Sequence, residues 1–164
     1  METFAVFLIA VFVHEAGHFL TARILGIPVL AFRPTGSGAV MTFDFTGTTY
    51  LREALVHLAG SVFGLLTAVL ARGLLGARAN LFLGITAVLS FVNLLPIAGL
   101  DGGGVLRCVL SWLFQPERTE KICRIVSLSA LLLLWTAVLW AEMRTAANFS
   151  LLFFVIGLML ANCS

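Results

Sequence analysis

The sequence predicts an all-α polytopic membrane protein with about five transmembrane helices. Three of them form a core in which the third helix is broken, and a small membrane-associated β-hairpin follows the first. Three observations support this. The chain has 164 residues, 60% of them hydrophobic and only 11% charged, with a mean hydropathy of +1.08. A water-soluble domain of this size exposes too much surface for so few charges. The apolar residues are gathered into runs long enough to cross a bilayer, and one stretch between the first two runs has strand character instead.

The first run extends from about Thr3 to Ile24, or ~33 Å as a helix, and Gly26-Ile27-Pro28 ends it. Residues 29–45 follow, with VLAFRP and AVMTFDF on either side of a GSG turn, which reads as a hairpin. A second span covers about 51–75 and stops at Gly76-Ala77-Arg78. A third, about 79–114, is interrupted by Pro96, Gly99 and the run Asp101-Gly102-Gly103-Gly104. Non-helical backbone at membrane depth is tolerated only where it faces protein or a water-filled cavity. The polar stretch QPERTEK then separates a core, residues 1–114, from residues 115–164, where spans are expected at about 122–140 and 147–161. No soluble domain and no signal-peptide pattern are expected, since the first apolar run holds polar residues in its interior.

Charge sets an expected orientation. With five spans, Arg23, Arg33, Arg52, Arg107, Arg118, Lys121 and Arg124 collect on one side, and Arg72, Arg78 and Arg144 on the other. The side richer in basic residues is expected to be cytoplasmic, with the N-terminus outside. Net charge is only +2 and no basic patch points to nucleic acid. Cys108, Cys123 and Cys163 are odd in number and spaced like neither a disulfide framework nor a zinc ribbon.

The chemistry concentrates in His14-Glu15-Ala16-Gly17-His18, an HExxH pattern inside the first span. Ionisable groups at membrane depth are costly, so three within five positions need a function. On a helix, His14 and His18 share a face and can reach one metal ion. Glu15 lies about 100° round from His14, close enough to hold and activate a water at that metal without ligating it. Imidazole and carboxylate donors make zinc the expected metal, one ion per chain, with three protein ligands and one open position.

Asp101 is the best candidate for the third ligand, because an unwound stretch can aim a carboxylate inward. The alternative is that Asp101 only caps a helix starting at Gly102. Depth favours the ligand role. His18 and His14 lie ~7 and ~13 Å along the axis from the cytoplasmic end of their span, and Asp101 stands just before Arg107 on the same side. His57 enters the second span from that side too. It lies on a face with Gly60, Ser61, Gly64 and Ala68 that includes a GxxxG packing pattern, Gly60 to Gly64. It is expected to touch a ligand or the substrate, and a ligand role for His57 in place of Asp101 stays open.

HEAGH in one span and NLLPIAGLDGG in a later broken span resemble the site-2 protease family of intramembrane zinc metalloproteases, whose motifs are HExxH and NxxPxxxLDG. The resemblance covers about Phe4 to Leu113 and looks nearest to the stage IV sporulation protein FB-like branch. It implies His14, His18 and Asp101 as zinc ligands, Glu15 as the base, Asn93 as a contact to substrate backbone, and Pro96 and Gly60 as neighbours of the site. It implies hydrolysis of a peptide bond in or near a transmembrane segment of a membrane-associated protein, at the cytoplasmic side of a bacterial cell membrane, with a regulatory membrane partner as a further expectation. On the branch resemblance, sporulation pro-sigma factors are the expected substrate class. One departure stands out: where many relatives carry GPxxN, this chain has Gly60-Ser61-Val62-Phe63-Gly64. The reading that competes is a non-hydrolytic metal-binding membrane protein, or a pseudo-protease that grips helices without cutting them. An intact Glu15 argues against it, since binding alone needs no base.

Overall fold

The computed structural model describes residues 2–35, 38–145 and 156–157. Its elements are α1 (Glu2–Ile24), β1 (Val29–Thr35), β2 (Gly38–Phe43), α2 (Tyr50–Leu75), a 3-10 turn (Gly76–Ala79), α3 (Asn80–Asn93), α4 (Asp101–Leu113) and α5 (Pro116–Thr145). They form two compact units, Met1–Leu94 and Leu95–Ser164. The division falls at the break before Pro96, within the third expected span rather than after residue 114. The expected last span, 147–161, lies outside the described residues apart from Ile156 and Gly157.

In the first unit, α1 stops where the sequence breaks, and the backbone shows how. Gly26 has φ of 71°. Its N–H reaches Arg23 O at 3.2 Å, and Ile27 N–H reaches Ala22 O at 2.8 Å. This pair of bonds is the Schellman closure, which needs a residue in the left-handed region, where glycine has no side-chain penalty. The closure turns Ile27 inward against Ala22 and Val56, and Leu25, Phe43 and Phe45 pack on this cluster. The antiparallel β1–β2 pair, with a bulge between Val29 and Ala31, is thereby fastened to the base of α1 and α2. Asp44 then accepts the Thr46 N–H at 3.0 Å in the turn leading to α2. The Thr46 hydroxyl first, and its amide second, hold the Asp44 carboxyl below its ordinary range. Its part is in the turn.

The 3-10 turn folds α3 back along α2. Ser61 and Ser90 each donate a hydroxyl to the other's carbonyl at 3.4 Å, and Gly64 faces Thr86 one turn further on. A pairing in which one number rises as the other falls is antiparallel. Among the described residues, three helical stretches are long and apolar enough to cross a membrane: Glu2–Ile24, Tyr50–Asn93 and Pro116–Trp140. The second comprises both arms of this hairpin. The expected third span is divided, since α3 has 14 residues and α4 has 13, and residues 94–100 are non-helical.

Burial runs opposite to that of a water-soluble bundle. The buried positions of α1 are Ala10, His14, Gly17, His18 and Ala22, and those of α2 are Val56, Ala59, Gly60, Ser61, Gly64 and Ala68. Phe4, Leu8, Phe12, Leu66 and Leu70 are exposed. Small and polar residues inside with large apolar residues outside is the packing of helices in lipid, where close backbone approach replaces the hydrophobic effect between helices. Gly17 sets that approach: a Cβ there would lie 2.6 Å from Ala59 O and 2.7 Å from Phe63 Cβ. Gly17→Val is expected to destabilise the fold by about 1–3 kcal/mol or more, since backbone must move to admit it. Unfolding in mixed micelles measures this, and unchanged stability would refute the tight crossing.

Candidate metal centre

His14 and His18 lie one turn apart on the buried face of α1, at 4% and 5% exposure, while neighbouring Phe12 is 74% exposed. Their Nε2 atoms are 3.1 Å apart and the rings meet edge to face, with centroids 4.8 Å apart. His18 Nδ1 donates to the Val56 carbonyl at 2.7 Å. A carbonyl only accepts, so the proton is on Nδ1, and in the neutral ring the Nε2 lone pair is directed at His14. A hydrogen bond of this kind, on the ring nitrogen away from the metal, is what commonly orients a metal-binding histidine. Two nitrogens bound tetrahedrally to one zinc at ~2.0–2.1 Å would stand roughly 3.4 Å apart. The observed pair is within a few tenths of an ångström of that.

Gly60 on α2 leaves the space the two rings use. A Cβ built there would collide with His18 Nε2, would lie 2.7 Å from His18 Cε1 and 2.8 Å from His14 Nε2. Glycine at this position is therefore a steric requirement of the histidine pair. Glu15, between the two histidines, is half-buried on α1.

The remaining expected residues fall as follows. Asn93 ends α3, where its Nδ2 donates to Leu89 O at 3.1 Å. His57 is half-buried and packs its ring against Phe45, with centroids 5.7 Å apart, while its neighbour Val56 supplies the carbonyl to His18. In the second unit, Pro96 lies in the non-helical stretch and Asp101 is the first residue of α4. Leu100, with φ of −105° and ψ of 160°, is the N-cap. The helix thus starts at Asp101 itself, and capping of a helix that begins at Gly102 is not the geometry found. A half-buried carboxylate in a first turn also benefits from the helix dipole.

The Val56 carbonyl is a contributor that sequence reading misses. Any residue type offers a carbonyl, so only its place along α2 opposite His18 reveals it. Gly60 was legible as a packing glycine and as a neighbour of the site, but its clearance for both imidazole rings appears only in the structure.

With this geometry established, comparison with known proteins adds two findings. Residues 75–135 match the family model described as Peptidase family M50. This segment holds Asn93, Pro96 and Asp101, while the histidine motif lies upstream of it. The solved structure titled "Site-2 Protease from Methanocaldococcus jannaschii" is similar over 97% of this chain and 74% of that one, with a TM-score of 0.74 and 20% identity. No curated protein matches the chain by sequence. The chain therefore has the fold of a site-2 protease. Gly60→Ala is expected to weaken zinc binding by at least about tenfold while leaving helix content unchanged, because the methyl group enters the space of both Nε2 atoms. Zinc titration beside circular dichroism measures both quantities.

Proposed function

We propose that this chain is an intramembrane zinc metalloprotease that hydrolyses a peptide bond in or near a transmembrane segment of a membrane-associated protein. The observation that carries the reading is the buried histidine pair, Nε2 atoms 3.1 Å apart, with Glu15 between them in sequence. The match to Peptidase family M50 over residues 75–135 and the site-2 protease fold support it.

The donor set fits zinc by its chemistry. Among the described residues, His14, His18 and Asp101 offer three ligand atoms, two imidazole nitrogens and a carboxylate oxygen. Two histidines and one acid with a position left open is the composition of catalytic rather than structural zinc. When bound, zinc supplies Lewis acidity, which polarises a carbonyl and lowers the pKa of water. The chain's own residues do the rest. His18 is held in its ligating tautomer by Val56, and Gly60 keeps the space around both rings open. Glu15 takes a proton from the attacking water and returns it to the leaving amine. A substrate helix hides its amides in its own hydrogen bonds and must unwind before attack. Among the described residues the sheet has two strands, β1 and β2, and an extended segment can add to its edge as a further strand.

The orientation follows from charge in this reading. Arg23 at the end of α1 and Arg52 at the start of α2 share one end of the first unit, which is assigned to the cytoplasmic side. On the sporulation-branch resemblance, a membrane-tethered precursor of a transcription factor is the substrate class to try first.

Glu15→Gln should reduce cleavage of a transmembrane reporter by about 10²–10⁴-fold while zinc remains bound. Wild type and variant equally inactive, both with zinc, would leave the non-hydrolytic binder as the correct reading. Chelation should abolish wild-type cleavage and added zinc restore it, with Asp101→Ala resisting restoration.

A further inference from the structure

The motif that contains Asp101 does not explain what fixes the backbone beneath it, and the second unit supplies an answer. Ile97 N–H donates to Leu95 O at 2.7 Å, and Leu100 N–H donates to Ile97 O at 3.0 Å. The second bond closes a β-turn over Ala98 and Gly99, with Gly99 at φ of 89°, the position where a type II turn requires glycine. The turn leads directly into α4, since Gly103 and Gly104 N–H both reach Leu100 O, at 3.1 and 3.2 Å. Asp101 is thus joined rigidly to the turn, and whatever holds the turn sets the carboxylate.

Contacts from two sides hold it. On the α4 side, Ile97 is fully buried and lies so close to Gly103 that a Cβ there would collide with the Ile97 carbonyl oxygen and come within 3.2 Å of Ala98 N. On the α5 side, Ala98 N–H donates to Ser127 Oγ at 2.9 Å, a bond spanning 29 residues. Ser127 is itself 3% exposed, so no bulk water stands ready to replace it.

We infer that Ser127 is a positioning residue for Asp101: its hydroxyl oxygen anchors the Ala98 amide and so holds the metal-binding carboxylate in register. This rests on the reading of Asp101 as a zinc ligand. It makes α5, outside the motif-bearing segments, part of what positions Asp101. Thr119 is an internal control. It is buried on the same helix, and its hydroxyl has no hydrogen-bond partner among the described residues.

The test uses the full chain in lipid nanodiscs, with zinc affinity measured by competition against a chromophoric chelator and Ala98 amide exchange measured on metal-free protein. Ser127→Ala is expected to weaken zinc binding about three- to tenfold and to speed Ala98 exchange. Ser127→Thr, which keeps the acceptor, should restore both, and Thr119→Val should leave both at the wild-type level. The inference is overturned if Ser127→Ala binds zinc like wild type with Ala98 equally protected, or if Thr119→Val weakens binding as much. Zinc binding that survives Asp101→Ala would instead remove the ligand reading. The exchange rates of metal-free Ser127→Ala would still decide whether the anchor exists.

Discussion

The close approach of α1 and α2 governs the first unit. Gly17 on one helix and Gly60 on the other leave no room for a Cβ, and that contact brings the Val56 carbonyl within 2.7 Å of His18 Nδ1. In lipid, helices gain little from burying apolar side chains against one another, so backbone proximity and a few polar contacts must hold them together. Here the same proximity also does chemical duty. It places a carbonyl where it orients one imidazole and removes the side chain that would block both. Val56 joins the two roles, since its side chain lies in the Ala22–Ile27 cluster while its carbonyl serves the histidine.

The second unit solves a related problem with a loop. Asp101 follows a non-helical stretch, residues 94–100, whose backbone polar groups have to be satisfied. The turn at Ile97–Leu100 satisfies some internally, and α5 takes the Ala98 amide through Ser127. Asp101 then begins α4 with its charge at the favourable end of the helix. In each unit a glycine clearance goes with one hydrogen bond to a buried partner: Gly60 with Val56 O–His18 in the first, Gly103 with Ser127–Ala98 in the second.

Periodicity and composition carried much of this without coordinates. The first helix, the hairpin, the second helix and the interruption at Pro96 lie where apolar runs and Gly or Pro breaks place them. HEAGH declared the histidine pair because i and i+4 spacing is a local property of any helix. The turn between α2 and α3 also lies at the expected break, Gly76-Ala77-Arg78. The compact units divide at Leu94–Leu95, whereas the strongest compositional change in this part of the sequence is the polar stretch 115–121.

What residue types and their spacing decided here is local: which stretches become helix or strand, where each ends, and which side chains carry ligand atoms. What folding alone decided is which backbone atom meets which side chain across helices. The Val56 carbonyl opposite His18, the Gly60 clearance and the Ser127 anchor on Ala98 depend on helix crossings. Backbone carbonyls and amides are the same at every position, and a sequence carries no mark of which one will be called on until packing selects it.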